Sequence, residues 1–247
     1  YGNFISQLGK KQGFTVVDFN QPMTDALRAG MKIDPRMAGS LLPDRIHPSP
    51  AGHWVMATAL VRGWNISPIV SSVTVDATGE SQTEQENTTV SNLSKTADGL
   101  HWTQLDRALP LPLELNDAMT QFLLKISDIA ALDQQMLRVT GLTAASYALE
   151  IDDKKVAAFT RDELSQGVNL ALYSTPMEQQ AKSIDWTADD RSKLSGTRFD
   201  LLFDGNTIPG EVGAIQTLDT LDAQEVNQEY KNAQPKPHTF ALVVDGR

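Results

Sequence analysis

The sequence contains no cysteine, which excludes disulfides and thiolate metal sites. It has no long apolar run, so no segment reads as a membrane span, yet 40% of its 247 residues are apolar and a sizeable core is available. Positive charge is scarce: 21 Lys and Arg stand against 31 Asp and Glu, a net charge of −10. No basic cluster is visible. Nucleic acid is therefore disfavoured as a partner, because phosphate binding needs one. No period of about 20–50 residues repeats, which excludes a solenoid. The charge is also unevenly spread. Residues 1–66 hold 7 Lys and Arg and 4 acids, a net +3, whereas residues 67–247 carry a net −13. A step of that size near residue 66 marks a module boundary.

What is present is concentrated in Leu41-Leu42-Pro43-Asp44-Arg45-Ile46-His47-Pro48-Ser49-Pro50-Ala51-Gly52-His53. An acid three residues before a histidine in a short loop can turn its side chain to the same side. The Asp44 carboxylate can then accept a hydrogen bond from one ring nitrogen of His47. That bond selects the tautomer and leaves the other nitrogen to take a proton, which is the acid–base half of a nucleophilic triad. Ser49 is a good N-cap and Pro50 suits the first helical position, so Ala51 to Trp64 reads as helix. Counted from Ser49, His53 occupies the fourth helical position, where it packs on Pro48 as a staple and supports the loop from behind.

The Asp-x-x-His-Pro-Ser-x-x-Gly-His pattern resembles the last sequence block of the SGNH/GDSL hydrolases, the lysophospholipase-like serine esterases. In that family the Asp and His of this block are the triad's acid and base, roles that the resemblance carries to Asp44 and His47. Gly13 to Phe19 resembles the family's last core strand and Pro22 to Ala29 the short helix after it. The implied fold is α/β: the C-terminal portion of a three-layer, flavodoxin-like domain over 1–66, followed by an α+β extension over 67–247, β-rich to 160 and helix-rich beyond. The extension is similar to that of some exported bacterial SGNH-type esterases, through Leu137–Leu142, Gly167–Ala171 and Thr175–Met177, which implies a secreted or periplasmic protein. The family's Gly-Asp-Ser block is absent, as is a Gly-x-Ser-x-Gly elbow. The nucleophile and the oxyanion-hole Gly and Asn are thus expected before Tyr1, and the chain alone is expected to be inactive. The resemblance implies an acyl ester of a carbohydrate or lipid as substrate, and no cofactor.

Taken in order, the spacing of Phe4, Ile5 and Leu8 predicts a short helix, and Phe14 to Phe19 a strand covered on both faces. Asp18 reads as structural. Residues 30–48 read as one long loop, Ile69 to Val75 as a strand, and 78–99 as a polar linker or exposed hairpin. Leu100 to Leu105 alternates. Residues 117–135 have helical spacing behind an Asn116 cap, and strands follow at 136–142, 147–151 and 156–159 around an Asp152–Lys155 turn. Thr160 and Thr175 open helices, and a third helix starts at Thr187 and stops at Asp204-Gly205-Asn206. Residues 207–217 read as loop, Asp222 as the cap of a last helix, and Thr239 to Val244 as a final strand.

Other readings weigh less. Asp44, His47 and His53 are of metal-ligating type but lack zinc-site spacing. His101 and His238 are lone and flanked by apolar residues, so structural roles are favoured. The acid pairs lie at turns and helix starts. From a different class, the region after residue 67 is a binding or scaffolding module and residues 1–66 the remnant of an inactive hydrolase.

Overall fold

Side-chain caps set most of the helix starts. The computed structural model of the chain describes residues 2–78, 81–203 and 210–245, with the backbone alone at 81–83. Its first helices are α1 (Gly2–Gln12), α2 (Asn20–Met31), α3 (Pro35–Gly39) and α4 (Pro50–Gly63). Four strands follow: β1 (Ile69–Asp76), β2 (Ser81–Glu86), β3 (Thr88–Lys95) and β4 (Gly99–Asp106). After α5 (Ala118–Ile126) and α6 (Ile129–Leu132) come β5 (Gln134–Thr140), β6 (Ser146–Ile151), β7 (Lys154–Thr160), α7 (Arg161–Gln166) and β8 (Val168–Asn169). The chain ends in α8 (Pro176–Phe203), α9 (Glu211–Asn232) and β9 (His238–Val244). It is a mixed α/β fold with two sheets and helices. It divides into two compact units, Tyr1–Ile69 with Glu114–Gln134, and Val70–Leu113 with Gln135–Arg247.

The first unit is helical and packs through small residues. α2 buries Met23, Ala26 and Gly30, α4 buries Ala51, Gly52, Val55, Thr58 and Ala59, and α5 buries Phe122, Leu123 and Ile126. A Cβ added at Gly30 would lie 2.8 Å from the Phe122 ring. The cap of α5 is Asp117, whose carboxylate accepts from Thr120 N, and not Asn116. The strand expected at 14–19 is not formed, because among the described residues no strand lies beside it to close a ladder. Nor is it covered as expected: Phe14 is 70% exposed, and only Val16 and Val17 pack on neighbouring helices. A Cβ at Gly9 of α1 would meet Val16 Cγ2 at 2.6 Å, and one at Gly63 of α4 would meet Val17 Cγ2 at 2.4 Å. Asp18 Oδ1 accepts from Asn20 N at 2.8 Å and so opens α2.

The loop expected over 30–48 is shorter than its length suggests, because it contains α3. Asp34 caps that helix by accepting from Arg36 N and Met37 N, and Pro35 takes the first helical position.

The second unit is a sandwich of a four-stranded sheet, order β2-β1-β5-β8, and a five-stranded sheet, order β3-β4-β9-β6-β7. Val73, Val75, Leu137 and Val139 from one sheet meet Leu100, Trp102, Leu149, Ile151, Phe240 and Leu242 from the other. Residues 81–95, within the stretch read as a linker or exposed hairpin, are therefore mostly strand. β2 and β3 join different sheets, and Asn87 (φ +54°) makes the corner between them, donating its Nδ2 to Val70 O at 2.7 Å. Their polar character reflects edge strands with a wet face.

α8 is one continuous helix through Thr187, whose hydroxyl donates back to Ser183 O instead of capping a new start. α9 begins at Glu211, so 211–217 are helical and Asp222 lies mid-helix. The stop expected at 204–206 lies outside the described residues. α8 and α9 run antiparallel, tied by Arg191 to Asp222 (2.9 Å) and Glu229 (2.8 Å) and by Arg198 to Asp219 (2.6 Å).

Candidate active site

Leu41 is fully buried and anchors the start of the loop that carries Asp44 and His47. Its carbonyl accepts from Ser49 N at 3.0 Å, which closes residues 41–49 into a ring. Ser49 Oγ then accepts from Gly52 N at 3.2 Å and starts α4 with Pro50 at the first helical position. The closure requires a glycine at 52. A Cβ there would lie 2.4 Å from Leu41 O and 3.0 Å from Pro48 Cβ.

Inside the ring the Asp44 carboxylate organises the turn. Oδ1 accepts from Ile46 N at 3.0 Å and from His47 N at 2.7 Å. Oδ2 lies 2.6 Å from His47 Nδ1. Arg45 between them takes a left-handed conformation (φ +66°), which is costly for a residue with a Cβ. The hydrogen bond from the His47 ring, followed by those from the His47 and Ile46 backbones, lowers the Asp44 carboxyl to about 2. At neutral pH Asp44 is therefore anionic and can only accept, so Nδ1 carries the proton and Nε2 of the neutral ring is the basic nitrogen. The His47 side chain is 80% exposed, so that nitrogen is open to a reacting group. Such a pair can take a proton at Nε2 while the carboxylate stabilises the imidazolium that results.

His53 lies on the exposed side of the first turn of α4, and no hydrogen bond ties its ring to Asp44 or His47. Pro48 Cβ lies close over Gly52. The two nearby serines are engaged locally, Ser49 in the cap and Ser40 by donating to Met37 O at 2.7 Å. Among the described residues no group of three or more His, Asp or Glu side chains is arranged to hold a metal ion.

A second histidine–carboxylate pair has nearly the same geometry and a different character. His238 Nδ1 lies 2.6 Å from Asp152 Oδ2. The His238 side chain is only 11% exposed, and its Nε2 is buried without a hydrogen-bond partner. No substrate reaches it. This pair holds the start of β9 against the β6–β7 turn, with Asp152 Oδ1 accepting from Thr239 N at 2.9 Å. The left-handed Arg45 and the closure at Gly52 carry no signal in residue type beyond the glycine itself.

No family model matches the chain, and no curated protein matches it. Its fold is similar to a solved structure of BT4096, a gut microbial diltiazem-metabolizing enzyme, with a TM-score of 0.83 at 21% identity. The likeness covers 98% of this chain and 65% of that one, so the chain spans about two thirds of that enzyme's length.

Proposed function

We propose that this chain supplies the base and the acid of an ester hydrolase of the SGNH type, with His47 as base and Asp44 as its partner. A serine in residues preceding Tyr1 would attack the ester carbonyl. His47 Nε2 would take the hydroxyl proton and return it to the leaving alcohol, and Asp44 would hold the ring and offset its charge. Backbone and amide donors, also upstream, would stabilise the oxyanion. The substrate is an acyl ester of a carbohydrate or lipid, no cofactor takes part, and the chain without the upstream residues is inactive.

The observation that carries this reading is the 2.6 Å contact between His47 Nδ1 and Asp44 on an exposed loop. Two others support it. Val16 approaches Gly9 of α1 and Val17 approaches Gly63 of α4, as successive residues of a strand between two helix layers would. The fold neighbour is an enzyme longer than this chain, named for metabolizing diltiazem.

The test is hydrolysis of p-nitrophenyl acetate by the protein with its upstream residues. His47→Ala should lower kcat/KM by about 10³ or more with the fold intact. Activity retained in that variant removes His47 from the mechanism. An upstream sequence without a serine block favours the non-catalytic module instead.

A further inference from the structure

Side chains alternate along the five-stranded sheet, and the face turned from the core carries a hollow of about 250 Å³. Its floor is Ala241 of β9. The register places His101 of β4 beside Ala241 on one side and Glu150 of β6 on the other. A methyl group between two longer polar side chains leaves a trough about two strand spacings wide, roughly 10 Å. Thr103 and Thr239 oppose each other two residues along the same face. Beneath them Trp102 and Phe240 are buried and stack at 5.1 Å, so the floor is rigid.

Two irregularities build the rim. β3 bulges between Ser91 and Ser94, where Asn92 is left-handed (φ +55°) and directs its Nδ2 to Thr103 Oγ1 at 3.4 Å. Bulges commonly re-aim a side chain in this way. At the other end Asp153 (φ +61°), in the β6–β7 turn, borders the hollow. His101 Nε2 lies 3.4 Å from Asp98 Oδ1, which leaves Nδ1 open.

The lining selects a chemistry. It holds no Lys or Arg, so it offers nothing to balance a phosphate or carboxylate ligand. Its two aromatic rings are buried below the floor, so a flat apolar ligand has no wall to stack on. Hydroxyl, amide, imidazole and carboxylate groups instead present donors and acceptors close together. Hydroxyl groups on a ligand answer both kinds. The space equals that of roughly eight waters, enough for one sugar ring and too little for a chain of them. We propose that this trough binds a single pyranose unit of a neutral sugar through its hydroxyls. The site lies wholly within the second unit and does not rest on the esterase reading.

The test is a ¹H–¹⁵N NMR titration of the chain with D-glucose, D-galactose and N-acetyl-D-glucosamine, with choline and inorganic phosphate as charged probes. At least one sugar should shift the amides of Thr103, Glu150, Thr239 and Ala241 and saturate at about 1–10 mM. Ala241→Phe fills the trough from a solvent-facing position and should weaken binding at least tenfold. Glu150→Gln, which preserves shape, should weaken it as well, and His47→Ala should leave it unchanged. The proposal fails if no sugar shifts these amides up to about 100 mM, or if both trough variants bind as the parent does. It fails equally if choline or phosphate saturates the same amides at lower concentration than any sugar.

Discussion

Replacing Gly52 by alanine should loosen the loop that carries Asp44 and His47. In an open helix alanine is favoured over glycine by about 1 kcal/mol. Here the added Cβ would lie 2.4 Å from the Leu41 carbonyl oxygen, the same oxygen that accepts from Ser49 N to close the ring. No flexible side-chain end can swing aside, so backbone must move. Overpacking of that kind costs about 1–3 kcal/mol, and a clash this deep belongs in the upper half of the range. The net expectation is a loss of about 1–2 kcal/mol, or roughly 2–8 °C in Tm at about 2–4 °C per kcal/mol. The control is Gly39→Ala at the end of α3, where nothing lies within 4 Å of an added Cβ; it should be neutral or slightly stabilising. Urea denaturation followed by tryptophan fluorescence, to which Trp54 in α4 and Trp64 at its C-terminal cap contribute, reads both variants. If Gly52→Ala proves as stable as Gly39→Ala, the closure of the loop against α4 is not what holds it.

The Asp44 carboxyl is depressed, so its contribution to the turn is complete above the ordinary carboxylate range and is lost as pH falls through about 2. The amide shifts of Ile46 and His47, both donors to Oδ1, should titrate with a midpoint near 2; a midpoint near the ordinary value of about 3.9 contradicts the pairing. Leu242→Ala, fully buried between the two sheets, should cost about 2–5 kcal/mol in urea denaturation, and a loss below about 1 kcal/mol would mean that the sandwich core is elsewhere. Arg191→Met removes the shared partner of Asp222 and Glu229 and should lower the temperature at which helical circular dichroism is lost. An unchanged transition would show that the α8–α9 pairing does not depend on it.

Local chemistry was the legible part of this chain. Ser49 with Pro50, the Thr160–Glu163 capping box and the left-handed Asp152–Asp153 turn all formed as residue type and spacing indicate. The expectations that failed depended on neighbours distant in sequence. A strand at 14–19 requires a second strand beside it, which the apolar run cannot specify, and without that partner Phe14 is left 70% exposed. Residues 81–95 have little apolar content because β2 and β3 edge two sheets, which composition alone does not separate from a linker. Thr187 and Asp222 have the residue types of caps, yet one hydroxyl bonds back along its own helix and the other carboxylate faces Arg191 across the helix pair. At the candidate site, sequence spacing indicated the Asp44–His47 contact. It did not indicate the strained backbone at Arg45, because a left-handed conformation there follows from the two amides that Asp44 Oδ1 collects. Nor did it indicate how closely Pro48 lies over Gly52.

The central claim is that Asp44 sets the proton on one nitrogen of His47 and leaves the other basic and accessible. A long-range ¹H–¹⁵N spectrum of the His47 ring at pH 8, taken for the parent chain and for Asp44→Asn, measures this directly. In its neutral form the parent ring should carry its proton at Nδ1 and leave Nε2 unprotonated, and Asp44→Asn should abolish that preference. A parent ring protonated at Nε2, or an identical spectrum in both proteins, would contradict the account.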